Sequence, residues 1–143
     1  MKITAANRFG PPPPRRIVFA EPEFRAAAIE RFPELRDELL AETGRIHVQM
    51  GVLGWAARVA IEEDNAERFE RIANFLNEML LTPNLDPEID NAICISFLGA
   101  GELRATEAGR GAWHRLPPTI REKLTEYERR LNEALLPKKG KHR

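Results

Sequence analysis

The stretch Ile46 to Leu98, IHVQMGVLGWAARVAIEEDNAERFERIANFLNEMLLTPNLDPEIDNAICISFL, decides the fold, because three helical patterns follow one another in it with turn signals between. In the middle pattern Phe69, Ile72, Phe75, Leu76, Met79 and Leu80 step by three and four. That spacing makes one helix face apolar and leaves Glu70, Arg71, Asn74 and Glu78 on the reverse. The helix before it, Ile46 to Glu62, and the one after it, Pro87 to Leu98, are apolar round more of their circumference, so both are expected deeper. Pro87 to Leu98 is expected to be the most buried helix, and Trp55 a buried residue. Gly51 and Gly54 each cost helix propensity of about 1 kcal/mol, which close approach of a neighbouring helix would offset. Asp64 or Asn65 is positioned to cap the middle helix and Asp86, followed by Pro87, the third.

Working towards the N-terminus, Pro22 suits the first turn of a short helix running to about Arg31, with Phe24, Ala27, Ala28 and Phe32 on its inner side. Pro33 restarts the chain. Leu35, Leu39 and Leu40 then mark a second amphipathic helix that stops at Gly44. Residues 1–16 contain four consecutive prolines, Pro11 to Pro14, then Arg15 and Arg16. Prolines lack the backbone donor, so this segment reads as an extended arm.

Towards the C-terminus, the four glycines between Gly99 and Gly111 indicate a surface loop. Thr119 with Glu122 has capping-box spacing, and Ile120, Leu124, Tyr127, Leu131 and Leu135 form a narrow seam for packing on the bundle. Residues 137–143 are a basic tail. The fold expected is all-α: one irregular bundle of five to six helices over residues 17–136, with helix-hairpin, solenoid-like packing as its variant form.

Composition limits the functions available. With 143 residues, 22 Lys plus Arg and 22 Asp plus Glu, the chain has no overall field to steer a polyanion. The single cysteine, Cys94, rules out an internal disulfide and a multi-cysteine zinc site, and fits a reducing, cytoplasmic setting. No apolar run approaches the ~20 residues that span a bilayer, and the N-terminus does not read as a secretory signal.

No catalytic, cofactor or metal constellation assembles from the motifs. Cys94 sits between isoleucines, surroundings that raise a thiol's pKa, rather than beside His47 or His114. Asp86, Glu88 and Asp90 open like a calcium loop, but Asn91 and Phe97 stand where glycine and glutamate are needed. Gly99 and Gly101 form a bare Gly-x-Gly without the phosphate-binding residues that would follow. Lys138, Lys139, Lys141 and Arg143 lack interleaved aromatics. Trp113 beside His114, in a glycine- and proline-flanked segment, is the aromatic placed to anchor a partner. Glu102, Arg104, Arg110, Trp113 and His114 are therefore the candidate partner-binding residues.

Phe32-Pro33-Glu34-Leu35, His47 with Met50-Gly51, Asn91-Ala92 with Ser96-Phe97-Leu98, and Trp113 with Leu116-Pro117-Pro118 occur in this order. Together they resemble a bacterial family of small, all-helical proteins of unassigned function. The resemblance covers about Phe32 to Leu135 and implies a compact cytoplasmic protein with no established enzyme activity, analogous to toxin-neutralising immunity proteins.

The function expected is a non-enzymatic protein-interaction module with an unidentified protein partner and an open oligomeric state. The alternatives are a small metal-dependent or hydrolytic enzyme using Glu62, Glu63, His47 or His114, and a weak nucleic-acid binder using the basic tail with Arg129 and Arg130.

Overall fold

The computed structural model describes residues 16–97 and 100–135. The proline-rich arm up to residue 15, Leu98, Gly99 and the basic tail lie outside them. The described chain is all-α. Helix α1 (Glu21–Arg31) leads through a 3-10 turn (Pro33–Leu35) into α2 (Arg36–Ala41), followed by α3 (Ile46–Glu62) and α4 (Ala66–Leu80). Helix α5 (Pro87–Ala92) continues as a π-turn (Ile93–Phe97), and α6 (Ala100–Arg104), α7 (Glu107–Arg115) and α8 (Pro118–Leu135) complete the bundle. None of the described helices is long and apolar enough to cross a membrane.

Local chemistry sets the helix boundaries. Asn65 accepts from the Arg68 N–H at 3.1 Å and caps α4, while Asp86 accepts from Glu88 N–H at 3.0 Å and caps α5. At the end of α2, Gly44 adopts φ +83°, a conformation that costs glycine little. Before α1, Phe19 pairs with Leu85 in an isolated parallel bridge. Asp86 N–H donates to the Phe19 carbonyl at 2.8 Å, and Val18 N–H to that of Asn84 at 3.0 Å.

The core is where α1, α2, α3 and α4 converge. Phe75 on α4 lies 5.8 Å from the ring of Phe24 and edge-on to Phe32 at 5.5 Å. Phe24, Phe32, Leu39, Met50, Leu53, Ile72 and Leu76 have no exposed surface. Each large apolar side chain buried here contributes about 1.5–3 kcal/mol relative to exposure.

Three segments differ from the sequence expectation. The Pro87–Leu98 pattern is not the most buried helix. Ile89, Ala92, Ile93 and Phe97 are buried, but Cys94 is half-buried and Ile95 is 56% exposed. A π-turn spaces hydrogen-bonded residues by five instead of four and so shifts the register of side chains beyond it.

Residues 100–111, in the stretch expected as a surface loop with at most one helical turn, contribute to α6 and α7. Gly109 is there for contact rather than flexibility: a Cβ added to it would lie 2.0 Å from the Leu103 carbonyl oxygen, so α6 and α7 touch backbone to backbone. Thr106 caps α7 by accepting from the Gly109 N–H at 3.0 Å. Finally, α8 starts at Pro118, which places Thr119 inside its first turn instead of before it. Its seam packs only over its first half: Ile120 and Leu124 are buried, whereas Leu131 is 46% and Leu135 77% exposed.

Candidate functional site

Helix α3 has apolar residues on its solvent side as well as its core side. Met50, Leu53, Ala57 and Ala60 enter the core. On the opposite side lie Val48, 44% exposed, Trp55, 63% exposed, and the half-buried Val52 and Val59. Their spacings of four, three and four place them on one helical stripe. Trp55, expected in the core, is thus at the surface: the helix has only one side turned to the bundle, and Met50, Leu53 and Ala57 already fill it.

The π-turn lies along this same helix because Gly54 admits it. A Cβ on Gly54 would sit 2.3 Å from the Phe97 carbonyl oxygen, and one on Gly51 would meet that of Ser96 at 3.9 Å. This is the close approach of a neighbouring helix that the glycines suggest, made at Gly54. His47 ties the two elements together. Its Nδ1 is 2.8 Å from Ser96 Oγ and its Nε2 is 3.1 Å from Glu88 Oε1. With the ring proton on Nε2 donated to the carboxylate, Nδ1 accepts from the serine hydroxyl.

A second polar cluster closes the N-terminal half of the bundle. Gln49, the one polar side chain among the fully buried residues described, donates from Nε2 to Glu21 Oε2 at 2.5 Å and to the Glu42 carbonyl at 2.8 Å. Glu21 Oε2 also accepts from Arg25 at 2.7 Å and from the Gly44 N–H at 2.9 Å. Burial pushes the Glu21 carboxyl up, but Gln49, the Gly44 amide and Arg25 outweigh it and hold the group below its ordinary value. The cluster joins α1, the α2–α3 turn and α3. Its signal in the sequence is a glutamine on the inner side of an apolar helix.

The residues singled out from the sequence near α6 and α7 do share a neighbourhood, but they are largely engaged with their own chain. Glu102 pairs with Arg58 of α3. Arg104 lies 5.0 Å above the Trp113 ring and pairs with Glu128 of α8 at 2.6 Å. Arg110 donates to the Arg104 carbonyl at 3.2 Å. Trp113 is half-buried against the core and borders a shallow hollow with Pro118, Arg121 and Thr125. His114 is exposed.

The acids and histidines considered for catalysis are separated. Glu62 is fifteen residues beyond His47 on the same helix, a rise of about 22 Å. Among the described residues no three His, Cys, Asp or Glu side chains converge as a metal site. Cys94 borders a hollow with Asp90, Lys123 and Tyr127, where burial, with the Asp90 charge beside it, raises the thiol's pKa. Lys123 and Asp90 pair there at 2.6 Å.

The surface that sequence reasoning missed is therefore the outer side of α3. Its signal was the apolar circumference of α3, which is equally the signature of a buried helix.

Comparison with curated proteins and with solved structures finds no match. A family model does match, over residues 25–133, and it takes in every helix that builds the α3 surface, from most of α1 to most of α8. The chain belongs to that family, DUF7674, a domain of unknown function.

Proposed function

We propose that this chain is a bacterial, cytoplasmic protein that acts by binding another protein chain rather than by catalysis, as small helical immunity proteins do. The outer side of α3 with the π-turn serves as its contact surface. The observation that carries this reading is Trp55, 63% exposed on a stripe shared with Val48 and Val52. Tryptophan placed centrally in an apolar patch is a common anchor of protein interfaces, and clustered exposed apolar side chains mark interaction sites more often than isolated ones. Glu102, Arg104, Arg110 and Trp113 are less suited to the role, because binding a partner there would first break their internal contacts.

A photo-cross-linking residue at position 55, used in the native cell, tests the reading. A protein adduct is expected at position 55 and none at position 114. Cross-linking at 114 alone would move the surface to α7, and none at either position would remove the proposal.

One observation favours a hydrolytic enzyme as the second reading: Ser96, His47 and Glu88 form a continuous hydrogen-bonded chain, the order of groups that activates a serine nucleophile. Against it, Ser96 lies well inside a helical run that begins at Pro87. Among the described residues of that run, the backbone N–H groups of Ile93 to Phe97 are engaged in the helix's own ladder instead of being free for an oxyanion. Ester hydrolysis that vanishes in Ser96→Ala would reverse this preference.

A further inference from the structure

The charges of α3 run against its own dipole. Acids are favoured in the first turn of a helix and bases in the last, yet α3 has no acid in its first turn and no base in its last. Instead Arg45 immediately precedes the helix, while Glu62 and Glu63 end it. The Arg45 side chain is 72% exposed and reaches Glu42 of the preceding turn at 3.5 Å. Glu62 and Glu63 are exposed. Between these ends runs the stripe of Val48, Val52, Trp55 and Val59.

This pattern is complementary to itself when reversed. Laid antiparallel on a copy of itself, about a two-fold axis midway between Leu53 and Gly54, the helix brings Val52 onto Trp55 and Val48 onto Val59. The same register brings Arg45 onto Glu62, with Glu63 adjacent. It also sets the positive end of each helix beside the negative end of the other.

We infer that the outer side of α3 is the contact between two copies of this chain, packed antiparallel about a two-fold axis. The inference rests on the interaction reading above and names its partner. A two-fold contact uses one patch twice, so two Arg45–acid pairs flank two Val52–Trp55 contacts. An unrelated partner would give no reason for Arg45 and Glu62 to stand equally far from the centre of the stripe.

Sedimentation equilibrium of the full chain, from low to high micromolar concentration, tests it. The wild type is expected at twice the chain mass, and Trp55→Asp at the mass of one chain with an unchanged helical circular dichroism spectrum. Arg45→Glu alone, and Glu62→Arg with Glu63→Arg, should each weaken association by about tenfold or more through like-charge opposition. Combining all three should restore it to within about threefold of wild type, as opposite charges then face each other again. Single-chain mass for the wild type, or no rescue in the combined variant, overturns the pairing. If the wild type is a single chain but position 55 still cross-links to a different protein, self-pairing fails and the interaction reading stands; if it cross-links to nothing, both fail.

Discussion

The two tryptophans have opposite surroundings. Trp113 is half-buried, covered by the Arg104 guanidinium and set against the core. Trp55 is 63% exposed on a helix whose neighbouring outward side chains are valines. Both regions also use a glycine to bring backbones together, Gly109 beside Trp113 and Gly54 beside Trp55. One tryptophan therefore closes the bundle and the other extends an apolar surface from it. An aromatic's role depends on which side of its helix the bundle occupies, and flanking glycines and prolines do not reveal that side.

The glycines test the shared part of the comparison most severely. Gly109→Ala and Gly54→Ala each force a methyl into a carbonyl oxygen, at 2.0 and 2.3 Å. Backbone must move to relieve that overlap, so each should cost about 3 kcal/mol or more, read by urea unfolding. Equal tolerance of both would mean that the close approaches carry little stability. Trp113→Ala should come next, at about 2 kcal/mol, because its ring is partly buried and supports Arg104. Trp55→Ala should change monomer stability by less than about 0.5 kcal/mol, while removing most of the acrylamide-quenchable fluorescence of the dissociated chain at high dilution. The reverse order would exchange the two roles assigned here.

Glu21→Gln should cost about 1–2 kcal/mol at neutral pH by weakening the hydrogen bonds around the buried Gln49. Because the folded state holds the Glu21 carboxyl below the ordinary 4.5, its contribution is present above that value. It is lost as pH falls through the folded pKa. The wild type should therefore lose its advantage over the variant in mild acid, in paired melts across that range. A gain instead of a loss should come from Gly111→Ala, where an added Cβ meets nothing within 4 Å. Better helix propensity should stabilise it by about 0.5–1 kcal/mol.

Much of the fold was legible because its signals are local. Asn65 and Asp86 cap where their side chains suggest, the span of α3 follows from its apolar run, and the spacing of Gly51 and Gly54 announces a close neighbour. The π-turn was not legible, since nothing in Ile93 to Phe97 distinguishes a five-residue step from a four-residue one. Nor were α6 and α7: glycines that break a helix and glycines that let two helices touch look alike until the partner, here the Leu103 carbonyl, is in place. The α3 surface was hidden by ambiguity of a different kind. Apolarity all round a helix predicts that it will be covered, and the sequence does not say whether its own chain or another does the covering.

The small bridge at Phe19 and Leu85 has a consequence for synthesis. Residues 18 and 19 obtain their backbone partners from Asn84 and Asp86, and Phe24 and Phe32 find their aromatic neighbour only at Phe75. As the chain leaves the ribosome, its first described helix gains the Gly44 and Gln49 contacts early but must wait for these partners until residues 75–86 have emerged. Nascent chains arrested while Phe75 to Asp86 are still within the exit tunnel should therefore be digested readily within α1, and chains long enough to have released Asp86 should resist.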